Sequence, residues 1–300
     1  MVYSGRKSAS DMNSTTTPEH IARSSLPAQG WIGLALIAIC WPLNWLLPGL
    51  RSHVLFFPLW LGYVLTVDGL VYLRKGTSLL TRSRMRFIGL FVVSAPAWWL
   101  FEALNWRVQN WHYLGREYFS DLQYFLTATI SFSTVIPAVF STAELMSTFI
   151  RRVRGPVIRP TPLTLAAFLT MGLGMLALLF AWPRYFFAFM WLSVFFILEP
   201  LNAALGFPTL ARWTKEGDWR PVVALWLGTL TCGLFWEMWN FFSFPKWIYT
   251  VPFVGFLHVF EMPLLGYGGY LPFALEVYAL YNLVTGLVRS VASDYIQLSV

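Results

Sequence analysis

Long apolar runs separated by short polar stretches fill the chain from about residue 30 onward. A helix needs about 20 consecutive, mostly apolar residues to cross a membrane, and eight runs reach that length. These runs are Trp31–Leu50, Val54–Leu73, Phe87–Asn105, Leu122–Thr148, Leu163–Trp182, Tyr185–Phe207, Val222–Phe242 and Tyr270–Leu287. The pattern therefore predicts an all-α, polytopic integral membrane protein with about eight transmembrane helices.

A further apolar stretch, residues 251–266, is interrupted by Pro252 and Pro263. Proline removes a backbone donor and breaks a helix interior, so we expect a re-entrant or interfacial segment there rather than a span. At the other end of the chain, residues 1–28 are polar and rich in Ser and Thr, which predicts a disordered cytoplasmic tail. The first apolar run lacks a clear small-residue cleavage site, so we do not expect a cleaved signal peptide.

Composition supports a membrane protein and excludes a soluble enzyme. Of the 300 residues, 57% are hydrophobic and 12% are charged, whereas a soluble domain has about 25% charged residues. The net charge of +7 would indicate nucleic acid binding in a soluble chain, but here the positive charge follows the membrane topology, so no nucleic acid partner is expected. Cys40 and Cys232 both lie in apolar runs, which favours buried thiols over a disulfide.

Basic residues are concentrated on one predicted side of the membrane. Sixteen of the 21 Lys and Arg residues lie in the N-terminal tail, in residues 74–86, 151–159 and 212–220, or after the last span. Loops rich in Lys and Arg stay on the cytoplasmic side. This asymmetry predicts that both termini are cytoplasmic, and we expect the bacterial inner (cytoplasmic) membrane as the location.

Several features recur at a constant spacing of 135 residues. The matched pairs are Glu102 with Glu237, Asn105 with Asn240, Pro48 with Pro183, and Pro137 with Pro272. Recurrence at one offset indicates a duplicated unit, and units with an even number of spans keep the same orientation in the membrane. We therefore expect two parallel four-helix repeats, residues 29–150 and 160–290.

Carboxyl groups inside the apolar runs mark the candidate site, because a charged side chain at the centre of a bilayer costs about 2.5–3.5 kcal/mol on insertion scales. The predicted topology separates them by depth. The outer set is Glu102, Glu237, Glu276 and Glu261 with Asn105 and Asn240, and the inner set is Asp68, Glu144 and Glu199 with Asn202. Few basic residues accompany them, so protonation, hydrogen bonds or a bound cation must satisfy these carboxyl groups.

Two Glu-x-x-Asn pairs give the outer set its pattern, since the i,i+3 spacing puts the carboxyl and the amide on one helix face. Trp106, Trp236 and Trp239 lie beside these pairs. Their electron-rich rings could stabilise a carbocation or line a pocket for a polyene, and interfacial aromatic belts also use tryptophan. The alternative for the carboxyl groups is structural, as neutral hydrogen-bonding groups between helices.

Histidine offers a second kind of site on the predicted outer side. Imidazole and carboxylate groups are ligands for divalent metals, and the candidates are His53, His112, His258, Glu102, Glu237 and Glu261. The sequence contains no HExxH motif or comparable ligand spacing. We therefore expect neither a metal nor another cofactor.

Two motif sets carry a resemblance to a known family. The second half has Phe235-Trp236-Glu237, Trp247-Ile248-Tyr249, Gly269 and Pro272 with Glu276, and the first half has Phe101-Glu102, Trp111-His112-Tyr113, Pro137 and Glu144. This pattern resembles the membrane-embedded lycopene cyclases of bacteria and fungi and the related carotenoid-hydratase type proteins, which carry an adjacent glutamate pair just after the proline. The resemblance implies cofactor-free acid–base chemistry on a polyene.

The leading hypothesis is a membrane protein that binds or acts on an apolar isoprenoid, such as a carotenoid, by cofactor-free carboxylate chemistry. Glu102 and Glu237 are the acid/base candidates, and Glu276 is a charge stabiliser. The substrate-binding candidates are Asn105, Asn240, Trp106, Trp236, Trp239, His258 and Glu261. Two alternatives are a proton- or cation-coupled transporter that uses the inner carboxyl groups and a non-catalytic scaffold subunit. The expected partner is a membrane lipid or apolar small molecule, and a homo-oligomer or larger membrane complex is left open.

Overall fold

The computed structural model describes residues 25–288 and 295–299, and these residues are mostly helical. Seven helical segments among them are long and apolar enough to cross a membrane. An eighth crossing is formed if Pro183–Trp191 and Ser193–Ala204, which are bent by 41° at their junction, count as one span. The prediction is confirmed to this extent: the described residues are mostly helical and include seven or eight segments that could span a membrane.

Twelve α-helices and four short strands follow one another in the described part of the chain. The helices are α1 (Ala28–Leu46), α2 (Ser52–Lys75), α3 (Leu79–Arg82), α4 (Arg84–Val108), α5 (Asp121–Phe132), α6 (Val135–Ser147), α7 (Pro162–Ala181), α8 (Pro183–Phe186), α9 (Ser193–Ala204), α10 (Ala211–Thr214), α11 (Arg220–Phe241) and α12 (Tyr270–Val288). The strands are β1 (Trp111–Leu114), β2 (Lys246–Tyr249), β3 (His258–Val259) and β4 (Met262–Pro263). Three 3₁₀ segments cover Arg116–Tyr118, Phe187–Trp191 and Leu264–Gly269.

The predicted fourth span is divided into α5 and α6 at Ser133 and Thr134. The Ser133 hydroxyl donates to Ile130 O (2.6 Å), and the Thr134 hydroxyl donates to Ser131 O (2.8 Å). Such back-bonding competes with the helix ladder and bends a helix. The residues on either side still form one membrane-length segment, Asp121–Ser147.

Helices from both halves of the chain pack together in the centre. Helix α6 contacts α2, α4 and α11, whereas α12 contacts α4, α9 and α11. At the edge of the bundle α1 packs on α2, and α7 packs on α9. The core is strongly aromatic, with Trp60, Phe101, Phe140, Trp239 and Phe273 among its largest fully buried side chains.

The helix ends form two opposite faces of the bundle. At the first, which we call the ribbon end, β1 pairs with β2 and Ser52 N donates to Phe244 O (3.0 Å). At the second, the basic end, the loop before α7 joins the loop before α11 through Gly155 N and Gly217 O (3.2 Å). Loops that the sequence assigns to one side of the membrane thus lie at one end, and the cytoplasmic orientation of the termini stays a prediction.

Glycine allows α1 and α2 to pack at very short range. A Cβ atom on Gly33 would lie 2.5 Å from the backbone oxygen of Gly62 and 2.5 Å from the backbone nitrogen of Thr66. Small residues at such contacts let helix backbones approach closely in membranes. The contact therefore requires glycine, because both obstructing atoms belong to the backbone and cannot rotate away.

We expect Gly33→Ala to destabilise the protein by about 1–3 kcal/mol, the usual cost of overpacking a tight contact. The matched control is Gly89→Ala in α4, where an added Cβ meets no atom of the described residues within 4 Å. Replacing an unhindered helical glycine by alanine stabilises by roughly 0.5–1 kcal/mol. Thermal unfolding in one detergent would compare the two variants, and equal melting temperatures would contradict the close contact.

Candidate functional site

A two-stranded ribbon joins the ends of α4 and α11. Strands β1 and β2 pair antiparallel, so that Trp111 lies opposite Tyr249 and Tyr113 lies opposite Trp247. Each strand follows a helix that ends in a Glu-x-x-Asn pair. The ribbon therefore holds the two sequence-predicted acid pairs at the same end of the bundle.

The two asparagines attach the strands to the helices. Asn105 donates from Nδ2 to Trp111 O (2.9 Å), and its Oδ1 accepts from Trp111 N (3.3 Å) and from Asn110 N (2.8 Å). Asn240 makes the corresponding contacts, with Nδ2 donating to Trp247 O (2.7 Å) and Oδ1 accepting from Trp247 N (2.9 Å). Both side chains are buried, where each satisfied bond contributes about 1 kcal/mol and each unmet group costs more. These asparagines hold the ribbon backbone in place.

Glu102 is surrounded by hydrogen-bond donors. Its Oε1 accepts from Trp98 Nε1 (2.9 Å) and Trp111 Nε1 (3.1 Å), and the Tyr113 hydroxyl donates to the same oxygen. Trp98 lies one helical turn before Glu102, whereas the other two donors are supplied by β1. Three donors on one oxygen favour the ionised carboxylate, since a carboxylate accepts and cannot donate.

Glu237 has a different environment. Its Oε1 accepts from the hydroxyls of Tyr249 (2.7 Å) and Tyr270 (2.9 Å). Its Oε2 is buried and has no hydrogen-bond partner among the described residues. Trp247 lies beside the carboxyl group without forming a well-aligned hydrogen bond to it. A buried carboxyl oxygen with no protein partner is available to a ligand or to a proton.

The strand tyrosines stay protonated donors. Burial, and after it the neighbouring Glu102 carboxylate, raises the pKa of the Tyr113 phenol well above its ordinary value. Burial and the Glu237 carboxylate raise the pKa of Tyr249 in the same way. Both shifts have the expected sign, because a second negative charge in a buried site is unfavourable. Each phenol therefore donates its O–H to the carboxyl group at all physiological pH values.

A cavity of about 380 Å³ borders the ribbon and has Glu237 in its wall. Fourteen of its lining residues are Phe, Tyr or Trp, including the five tryptophans Trp98, Trp111, Trp191, Trp236 and Trp247. Tyr113, Tyr249 and Tyr270, which donate to the two glutamates, also line it. The volume is at the small end of the range for ligand pockets, which is about 300–1,000 Å³.

One face of α5 forms a side wall of this cavity. The lining residues Tyr124, Ala128 and Ser131 recur at helical spacing, as expected for positions on one helix face. The opposite face exposes apolar side chains such as Leu122 and Phe125. Helix α5 therefore separates the cavity from the surface of the bundle by a single layer.

The other predicted substrate-binding residues do not all lie at the cavity. Trp236 lines the cavity, Trp239 is buried against Trp60 with ring centroids 5.0 Å apart, and Trp106 is 79% exposed. His258 lies exposed on β3. Glu261 forms an ion pair with Lys246, a lining residue.

Glu276 lies apart from the cavity, two turns into α12. It is fully buried, and neither carboxyl oxygen has a hydrogen-bond partner among the described residues. The backbone N–H groups of Val194 and Phe195, at the start of α9, lie beside it without forming well-aligned hydrogen bonds. The start of a helix carries a partial positive charge, which offsets part of the cost of burying this carboxyl group. Glu276 therefore faces a helix terminus rather than the ribbon.

The six candidate metal ligands do not form one group in the structure. His112 Nε2 pairs with Thr250 Oγ1 (2.7 Å), and His53 Nδ1 pairs with the backbone oxygen of Leu50. Across residues 25–288 and 295–299, no three His, Cys, Asp or Glu side chains lie close enough to hold a metal ion. These histidines instead make individual contacts near the ribbon.

Each inner carboxyl group bonds to a neighbouring chain segment. Asp68 accepts from Ser78 Oγ (2.7 Å) and Leu80 N (3.0 Å), at the start of α3. Glu199 accepts from Leu210 N (2.6 Å), at the start of α10. Glu144 forms an ion pair with Arg82. A carboxylate at a helix start satisfies backbone donors that have no partner within the helix.

Several residues of the site could not be recognised in the sequence. Tyr270 and Trp191 look like ordinary interfacial aromatics there. Asn110 lies in the cavity wall, and its buried Oδ1 has no partner in the described part of the chain. The only sequence feature that could have indicated Asn110 is its position directly before β1. The recurrence of Tyr113 and Tyr249 two residues after a tryptophan was the available clue to the glutamate donors.

Comparison of the chain with protein-family models, with curated proteins and with solved structures finds no match. An aromatic cavity contains one carboxyl group with a bare oxygen and adjoins a second that is held by three donors. This arrangement can bind an apolar molecule and exchange a proton with it.

Proposed function

We propose that the protein binds an apolar isoprenoid-like lipid in the aromatic cavity and acts on it by cofactor-free acid–base chemistry. The observation that carries this proposal is Glu237 Oε2, a buried carboxyl oxygen without a protein partner in an aromatic wall. A carotenoid-like polyene is the substrate class that the family resemblance implies. The aromatic lining supports it, because ring faces attract cationic centres.

The two glutamates are suited to different roles. Glu237 can carry a proton on Oε2 while Oε1 accepts from two tyrosines, so it is the general acid. Glu102 is the charge stabiliser, because its three donors favour the anion.

The proton of Glu237 adds to one carbon of a double bond, and a cation forms at the other carbon. Return of a proton from a neighbouring carbon to the Glu237 carboxylate restores the acid, so the isomerisation or ring closure consumes no co-reactant.

The volume of the cavity limits what enters it. A cavity of about 380 Å³ accommodates a ring or one end of an isoprenoid chain. A long polyene would therefore have to extend out of the cavity into the bilayer. Such binding would place the reaction at a terminal group of the polyene.

We also infer that the halves of the chain are parallel repeats. The equivalent contacts of Asn105 and Asn240 support this inference, as does the symmetric pairing of β1 with β2. Asp68 and Glu199 support it as well, since each accepts from the start of the short helix that follows it. A repeat would explain why two similar acid sites face one ribbon.

Mass spectrometry and an absorption spectrum of the protein purified in mild detergent test the proposal. We expect a stoichiometric isoprenoid, and the double variant Glu102→Gln, Glu237→Gln should lose it or fail to convert it. The control is Glu117→Gln, an exposed glutamate in the loop after β1. Only bulk phospholipid in the wild type, or unchanged binding and turnover in the double variant, would contradict the proposal.

A second candidate function, a proton- or cation-coupled transporter, is favoured by the broken span of α8 and α9. In many transporters, half-helix starts face anionic groups near the middle of the membrane. The start of α9 faces the unpartnered carboxyl of Glu276 in this way. Loss of ion-gradient-dependent uptake in Glu276→Gln would support the transporter, and liposomes without flux for any tested ion or solute would oppose it.

A further inference from the structure

The segment between β2 and α12 has an unusual composition for a surface loop. Residues 251–260 contain no Asp, Glu, Lys or Arg, and His258 is the sole titratable side chain. Apart from two two-residue strands, the segment is irregular until the 3₁₀ turn at Leu264–Gly269. We call residues 251–266 the cavity lid, because several of them line the cavity.

One side of the cavity lid forms part of the cavity wall. Val251, Val254, Met262, Leu265 and Gly266 all line the cavity. Leu264, which precedes Leu265 and does not line the cavity, is 51% exposed. The lid is therefore a single layer of chain between the cavity and the surroundings.

The other side of the cavity lid is apolar and exposed. Leu257 is 69% exposed, Phe253 is 61% exposed and Phe256 is 52% exposed. Monomeric soluble proteins rarely expose contiguous apolar patches of this kind, which mark contact with a membrane or a partner. Water is therefore an unfavourable environment for this surface.

The surface of the cavity lid is continuous with faces that lie against lipid. The Phe253 ring stacks on Tyr185 of α8, with centroids 5.9 Å apart. Helix α8 follows α7, whose most apolar 18-residue window is only 11% buried. A membrane-length helix that is so little buried contacts acyl chains along most of its surface. The occupant of the neighbouring lid surface is by continuity the same bilayer.

The backbone of the cavity lid is strained and is tied to the bundle by side-chain contacts. Phe253, Leu257 and Phe260 have φ angles of 64°, 52° and 59°, a region in which bulky residues cost about 1–3 kcal/mol each. One tie to the rest of the bundle is the ion pair of Glu261 with Lys246. The Phe253 ring on Tyr185 and the Phe260 ring against Phe241 are further ties, and the backbone strain lowers the cost of leaving this conformation.

We propose that the cavity lid lies among the acyl chains of the leaflet at the ribbon end and is the side entrance through which a lipid-soluble ligand passes from the bilayer into the cavity. The identity of the ligand rests on the proposed function, whereas the immersion of the lid does not. The ion pair of Glu261 and Lys246 then controls how easily the entrance opens. Its position at the base of the lid, with Lys246 in the cavity wall, fits this role.

Fluorescence quenching tests the immersion. Leu257→Cys and, as the matched control, Glu117→Cys would each carry a nitrobenzoxadiazole label in phosphatidylcholine vesicles. Both native cysteines are buried, so the label goes to the introduced thiol. Phosphatidylcholine spin-labelled on its acyl chain should quench Leu257→Cys several-fold more than Glu117→Cys, and aqueous iodide should show the reverse order. Equal access of iodide to both labels would overturn the proposal.

Uptake kinetics test the entrance, with retinol as a fluorescent apolar isoprenoid probe. We expect Glu261→Gln to take up retinol from vesicles several-fold faster than the wild type. Glu117→Gln is the control and should match the wild type. An unchanged rate in Glu261→Gln would overturn the entrance. If no variant binds retinol, the isoprenoid function fails and the entrance with it, whereas a lipid-quenched Leu257 label would still support immersion.

Discussion

Glu237→Gln is expected to lower conversion of the isoprenoid substrate by about 10²-fold or more, the usual contribution of a positioned general acid. Glutamine keeps the shape of the side chain, and its oxygen still accepts from Tyr249 and Tyr270. The amide cannot release a proton to the substrate, however. Conversion would be measured by chromatography of lipid extracts, using the isoprenoid identified by mass spectrometry.

Glu102→Gln separates the two roles. It removes a negative charge but leaves the proton donor in place, so turnover should fall while its pH dependence keeps the form set by Glu237. Glu117→Gln, on the exposed loop beside the ribbon, should change neither quantity. Equal melting temperatures in the same detergent would show that the variants are folded. Full activity in Glu237→Gln would exclude it as the acid.

The spans could be predicted from the sequence because the thickness of the bilayer fixes their length. The predicted ends of the second and third spans differ by a few residues from the ends of α2 and α4. The break at Ser133 was missed because local back-bonding leaves the hydropathy pattern intact. The strands β1 and β2 were also missed, since four residues are too few to show a period. They form because two distant helix ends meet.

The sequence indicates part of the arrangement around the ribbon. Glu102, Glu237, Asn105 and Asn240 do come together, because each Glu-x-x-Asn pair lies at a helix end that carries a ribbon strand. The local spacing could not reveal the hydrogen bond that Tyr270 donates to Glu237, because the two residues are 33 positions apart. Hydropathy also could not show which side of a helix is lipid-exposed in the bundle.

The hydrogen-bond donors of Glu102 and Glu237 are placed by the two asparagines and the two ribbon strands. The asparagines fix the strand backbones, and the strands then deliver Trp and Tyr donors to the carboxyl groups. The donors determine which oxygen of each glutamate is occupied. The difference between three donors on Glu102 and two on Glu237 therefore arises from the fold, although the two sequence motifs are alike.

The buried ion pair at the basic end is expected to have the largest effect on stability. Glu144 is fully buried and pairs with Arg82, whose side chain is 13% exposed. Its Oε1 also accepts from Gln297 N (2.8 Å) near the C-terminus. Arg82→Met should destabilise the protein by about 3–5 kcal/mol, because it removes the ion-pair partner of a buried charge. Denaturant titration in detergent would measure the change.

The double variant Arg82→Met, Glu144→Met should recover much of this loss, since an apolar pair of similar volume can replace a buried ion pair. The matched control is Arg116→Met, where the partner Asp121 is fully exposed and little change is expected. This outcome would make Glu144 a structural anchor and leave it no part in an ion path. Full stability of Arg82→Met would show instead that Glu144 is uncharged in the folded protein, as a proton-carrying residue of a transporter would be.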